Sequence, residues 1–74
     1  MAPRSFYIKP EHRWKAIARA RVEASDQATR DQTPKSLVEL DGRIWVRSLE
    51  RGRAMCDKHR DAKFVEEVHP EVTA

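Results

Sequence analysis

The sequence predicts a small single α+β domain whose elements run β-α-β-β-α, with a last strand completing the order. Three observations carry this. Residues 11–30 are rich in helix formers and free of glycine and proline; Asp41-Gly42 stands between two short apolar runs; and Ile44-Trp45-Val46 joins β-branched and aromatic residues, which lose side-chain freedom in a helix and fit a pleated surface. With the last strand counted, the order is that of the ferredoxin-like plan. An all-α helix-turn-helix is the alternative. In it Thr33 caps a short helix that opens with Pro34 and ends at Gly42, and a second helix from Arg43 gathers Trp45, Ser48, Leu49, Gly52, Met55 and Cys56 on one stripe.

Residues 5–9, Ser-Phe-Tyr-Ile-Lys, alternate as a short strand, with Phe6 and Ile8 on one side and Ser5, Tyr7 and Lys9 on the other. Pro10 ends that strand and suits a first helical turn. Along 11–30 a helical wheel gathers Trp14, Ile17, Ala24 and Ala28 on the apolar side, opposite Lys15, Arg19, Glu23, Asp26 and Arg30. The small residues let the helix lie close to a sheet. Arg21 interrupts that side and is expected to extend its head into water.

Residues 31–34 connect this helix to a hairpin, for which two registers compete. A two-residue turn pairs Glu39 with Ile44, a charge beside a core candidate. A three-residue loop of Leu40, Asp41 and Gly42 pairs Val38 with Ile44 and Leu37 with Trp45, and lines up Val38, Ile44 and Val46. The second register is expected, because its core stripe is coherent. Ser48 then caps a helix from about Leu49 to Arg60, with Glu50 in the favourable first turn and Leu49, Cys56 and part of Met55 buried. Gly52 inside it costs ~1 kcal/mol relative to alanine. Residues 62–68 read as a last strand or as more helix. His69-Pro70 closes a domain of residues 1–70, and 71–74 read as a frayed tail.

A chain of 74 residues holds one domain with a limited core, burying only ~60% of the surface its unfolded form exposes. It has no room for a cleft between domains, so work at the outer surface is expected. Cys56 is the single cysteine and permits no internal disulfide, which points to a reducing compartment, the cytoplasm by default. No apolar run reaches signal-peptide length or the ~20 residues of a membrane span, so no membrane partner is expected. The net charge of +3 is unevenly placed: six Lys/Arg against one Glu in 1–22, two against five acids in 23–42, seven against three in 43–63, and three Glu without a cation in 64–74. Such alternation suits a nucleic acid or an acidic protein patch, and equally an ordinary solvated surface.

The candidate contact residues are Tyr7, Lys9, Arg43, Trp45 and Arg47. In the predicted sheet the first and third strands form the central pair. Phe6, Ile8, Ile44 and Val46 face the helices, while Tyr7 and Trp45 lie on an open face among the three cations. Rings among cations suit single-stranded nucleic acid, which stacks its bases and pairs its phosphates. The glycine-aromatic signature of RNA-recognition domains is absent, since "DGRIWVRS" lacks its second glycine and closing aromatic. The same residue types mark protein–protein hot spots. Trp45 as a plain core residue is the third reading. The basic stripe of Lys15, Arg19 and Arg30 is broken by Glu23 and Asp26 and reads as a solvated face.

No catalytic or metal-ligating constellation emerges, and no cofactor is expected. Cys56 and His59 are helical neighbours, but no third orienting group or oxyanion donor accompanies them, and zinc would need a second ligand pair. Gly42 and Gly52 are the only glycines, too few for a phosphate loop. The expected function is that of a non-enzymatic regulatory or inhibitory binding protein occupying a site on a larger protein or complex. The alternative is a single-stranded nucleic-acid-binding module; homo-oligomerisation stays open.

Overall fold

The computed structural model describes residues 4–7, by their backbone alone, and residues 12–71. The elements run β1 (Arg4–Tyr7), α1 (Arg13–Asp31), β2 (Lys35–Leu40), β3 (Arg43–Ser48), α2 (Leu49–Lys58) and β4 (Lys63–Val68). The protein is a small α+β domain with two helices and an antiparallel sheet. The helix-turn-helix alternative fails because residues 35–48 form two strands.

The hairpin between β2 and β3 adopts the register that the sequence argued against. Leu40 opposes Arg43, Glu39 opposes Ile44, Val38 opposes Trp45 and Leu37 opposes Val46, so Asp41 and Gly42 alone make the turn. Both have positive φ, 54° and 68°, the conformation that suits a two-residue turn to the twist of its strands. The objection was Glu39 beside Ile44. It is answered from outside the hairpin: Arg13 of α1 forms a bidentate ion pair with the Glu39 carboxylate at 2.9–3.3 Å. That bond holds the Glu39 carboxyl below its usual range despite partial desolvation.

The strand order is β1-β3-β2-β4. The central pair is therefore β3 and β2, and β1, expected at the centre, is an edge. With β4 beside β2 rather than β1, the sheet departs from the ferredoxin-like plan. The connections β1-α1-β2 and β3-α2-β4 step the same way across the sheet from antiparallel starting strands. Crossovers of one hand then deliver their helices to opposite faces. The packing agrees, since α1 clusters with Leu37, Ile44 and Val46 while α2 lies over Ser36 and Val38, and the two helices do not touch. Hence β2 is buried on both faces, from Lys35 through Val38.

Helix α1 is rotated relative to the expected wheel. Its buried residues are Ala16, Ile17, Ala20, Ala24 and Ala28, whereas Trp14, assigned to the core side, is 75% exposed. Four alanines bring the helix axis close to the sheet, leaving no room for an indole between them. Arg21 extends into water as expected and there also forms two hydrogen bonds of 2.8 and 2.9 Å to Glu66 of β4. A register shift opposite Leu37 and Val38 bulges β4. Val65 packs against the α1 core there, while Glu66 keeps its place for Arg21.

Helix α2 starts where expected: Ser48 Oγ accepts the Arg51 N–H at 3.2 Å, with Glu50 in the first turn. Its burial differs. Leu49, Met55 and Cys56 are half-buried, and Gly52 is the buried contact. A Cβ at Gly52 would stand 1.9 Å from Ser36 Oγ and 2.7 Å from Ser36 Cβ, so the glycine is what lets α2 reach the sheet. Residues 63–68 are strand rather than continued helix.

Candidate functional site

Because opposed residues of antiparallel strands share a face, the register builds the α2 side of the sheet row by row. Ser5, Trp45 and Val38 form one row, and Tyr7, Arg43 and Leu40 the next; Arg47 stands opposite Ser36 in a third. None of these residues of β1, β3 and β2 is acidic. Helix α2 covers this side over β2, β3 and β4 and makes no contact with β1 among the described residues. Among the described residues the surface over β1 is thus left beside the helix rather than beneath it, and β3 lies at its border.

Trp45 is held firmly there. It is half-buried, its indole Nε1 donates to the Leu40 carbonyl at 2.9 Å, and the Arg47 guanidinium lies 4.9 Å from its ring centroid. Arg47 in turn donates from Nη1 to the Val46 carbonyl at 2.9 Å. Burial lowers the Arg47 pKa, and the neighbouring Arg51 charge lowers it further; a guanidinium nonetheless remains charged. Arg43 is exposed at the start of the strand. The predicted contact residues Arg43, Trp45 and Arg47 therefore share one face, with Tyr7 placed by register on the same side. Lys9 lies outside the described residues. Of the open readings for Trp45, half-burial with a satisfied N–H is intermediate: the ring is anchored like a core residue and displayed at its edge.

Arg51 was missed by sequence reasoning. Arg47 belongs to a strand and Arg51 to a helix, so no single periodicity links them. A signal existed nonetheless. With Ser48 as N-cap, Arg51 falls in the first turn of α2, where the helix dipole disfavours a cation. A residue placed against a local preference points to a demand made elsewhere.

On the other side of α2, Arg53, Cys56, Asp57, Phe64 and Glu67 line an open groove of about 470 Å³. Phe64 is 40% exposed on its floor, and Arg53 approaches Glu67 at 3.7 Å across its rim. His59 is exposed beyond the helix end. Among the described residues no three His, Cys, Asp or Glu side chains come together as metal ligands, and no helix is long and apolar enough to cross a membrane. Comparison with protein-family models, curated proteins and solved structures finds no match to this chain.

Proposed function

We propose that this chain is a non-enzymatic binding protein of the reducing cytoplasm that regulates or inhibits a larger protein or protein complex by occupying an acidic site on it. The observation that carries this reading is the anchored, half-buried Trp45 beneath Arg47, with Arg43 on the same face and the Arg51 charge acting on Arg47, on a strand bordering β1, which α2 does not reach among the described residues. A side chain already fixed by its own hydrogen bond loses little freedom on binding. An aromatic ring with an arginine over its face and further arginines near it in the fold is also the composition of an interface hot spot. Carboxylates on the partner would relieve the repulsion between Arg47 and Arg51 and form charge-assisted hydrogen bonds with both.

Single-stranded nucleic acid is the second reading, favoured by the absence of an acid from the β1, β3 and β2 positions of these rows. The Trp45 ring already carries Arg47 on one face, so a base would have to displace that guanidinium or stack upon it. A protein pocket can accept the Trp45–Arg47 pair as a unit.

The test is capture from an extract of the cell of origin on immobilised chain, with nuclease treatment in a parallel arm. One protein or complex should be retained at low salt and lost with Arg51→Glu or Trp45→Ala, while Trp14→Ala retains it. Arg51→Glu places an acid at a favoured helix position, so lost capture would not reflect a lost fold. Capture of nothing, or equal capture by Arg51→Glu, refutes the docking reading. Nuclease-sensitive capture moves the assignment to nucleic acid.

A further inference from the structure

Three consecutive residues of α2 mark the three strands that the helix reaches. Arg53 approaches Glu67 of β4, Gly52 rests on Ser36 of β2, and the Arg51 charge acts on Arg47 of β3. One flank of the helix therefore faces β4, where Arg53, Cys56 and Asp57 line the groove with Phe64. The other flank looks across β3 toward β1. At helical spacing it carries Arg51, Met55 and Lys58, which stand at i, i+4 and i+7.

The charge along this second flank has a single sign. Arg51 and Lys58 are exposed, and neither side chain has a partner among the described residues; Met55 between them is half-buried. The acids of α2, Glu50 and Asp57, each stand more than about 100° around the helix from the centre of this row. Trp45, Arg43 and Arg47 border the same space from β3, and the β1 positions that share their face, Ser5 and Tyr7, are not acidic.

The dimensions of the space suit a helix. It spans β1 and the border of β3, strands about 5 Å apart, and a helix is about 10 Å across and packs 8–10 Å from its neighbour. Arg51 and Lys58 lie two turns apart, about 10 Å along α2. A neighbouring helix repeats its side chains at that distance, whereas an extended chain presents one face about every 7 Å.

We propose that this space seats an acidic amphipathic helix of the partner, laid alongside α2. Its apolar face meets Met55 and the edge of Trp45, and its carboxylates, two turns apart, meet Arg51 and Lys58. The proposal rests on the docking reading of Trp45 and adds to it the form of the partner, together with Met55 and Lys58, which that reading does not use.

The test is titration of the ¹⁵N-labelled full chain with a capped peptide of about fourteen residues, leucine along one face of its helix and glutamate on both flanks, and with a scramble of the same composition. The amphipathic peptide should shift amides of α2 and β3, and in a Trp14→Phe chain should move the Trp45 emission to the blue. The scramble should bind at least about fivefold more weakly, and Lys58→Glu or Arg51→Glu should each weaken the amphipathic peptide by about as much. Lys15→Glu, an equal change of net charge on the other side of the sheet, should bind like wild type; circular dichroism verifies that each variant is folded. Equal binding of peptide and scramble, or binding indifferent to Lys58→Glu, overturns the helix seat, as does no binding at about millimolar peptide. Oligothymidylate bound in place of the peptide also overturns it and assigns the space to nucleic acid. Capture from extract that needs Arg51 but tolerates Lys58→Glu would leave the docking reading standing without the helix.

Discussion

Replacing Gly52 with alanine sets two physical effects of opposite sign against each other. Helix propensity favours alanine by about 1 kcal/mol, and by that measure Gly52 is a flaw in α2. Against the sheet, the added Cβ would stand 1.9 Å from Ser36 Oγ and 2.7 Å from Ser36 Cβ. Rotating Ser36 removes only the first contact. It also withdraws the hydroxyl from the Arg47 and Ser48 carbonyls, each 3.1 Å away, in a residue with no exposed surface. The second contact involves the Ser36 Cβ, which moves only with the backbone of β2. Overpacking of this kind costs about 1–3 kcal/mol, and a lost hydrogen bond about 1 kcal/mol more. After the propensity gain is subtracted, Gly52→Ala should destabilise the chain by about 1–3 kcal/mol, out of a total near 4–11 kcal/mol for its length.

Urea unfolding followed by circular dichroism and tryptophan fluorescence reads this as a lower midpoint, by about 1 M or more, at unchanged slope. Removing the Ser36 side chain in Ser36→Gly/Gly52→Ala should recover part of the loss, although that variant forgoes the serine hydrogen bonds. A Gly52→Ala chain as stable as wild type, or more so, would show that propensity governs this helix and that the close approach to Ser36 is not obligatory.

Two further predictions follow from the ion pairs and the tryptophans. The Glu39 and Glu66 carboxyls are held below their ordinary range, first by hydrogen bonds from Arg13 and Arg21 and then by the charges of these arginines. Their contribution is therefore complete above the unfolded glutamate pKa and disappears as pH falls through the lower folded values; Arg13→Ala should flatten the acid limb of stability against pH, measured by urea midpoints. Acrylamide should quench Trp14 strongly in a Trp45→Phe chain and Trp45 only weakly in a Trp14→Phe chain at low protein concentration, the reverse of what a buried Trp14 would show.

Local chemistry made part of this structure legible. Asp41-Gly42 announces its turn because both residues tolerate positive φ, and Ser48 announces a helix start because its hydroxyl fits the first free N–H groups. The alternation of Arg43, Trp45 and Arg47 along β3 places them on one face without reference to any other element. What was misread depends on partners distant in sequence. Glu39 looked too costly beside Ile44 because Arg13, which neutralises it, lies 26 residues earlier. Trp14 falls on the apolar side of the helical wheel with Ile17, Ala24 and Ala28, whereas close helix–sheet contact through alanines excludes it. Gly52 looked like a weakness because Ser36, which requires it, belongs to another element.

The position of β4 had the largest structural consequence, and no local signal specified it. Beside β1, it would have brought α2 to the same side of the sheet as α1, leaving the other face open across all four strands. Beside β2, it brings α2 to the opposite side and buries β2 twice, so that on that face α2 reaches β2, β3 and β4 but, among the described residues, not β1.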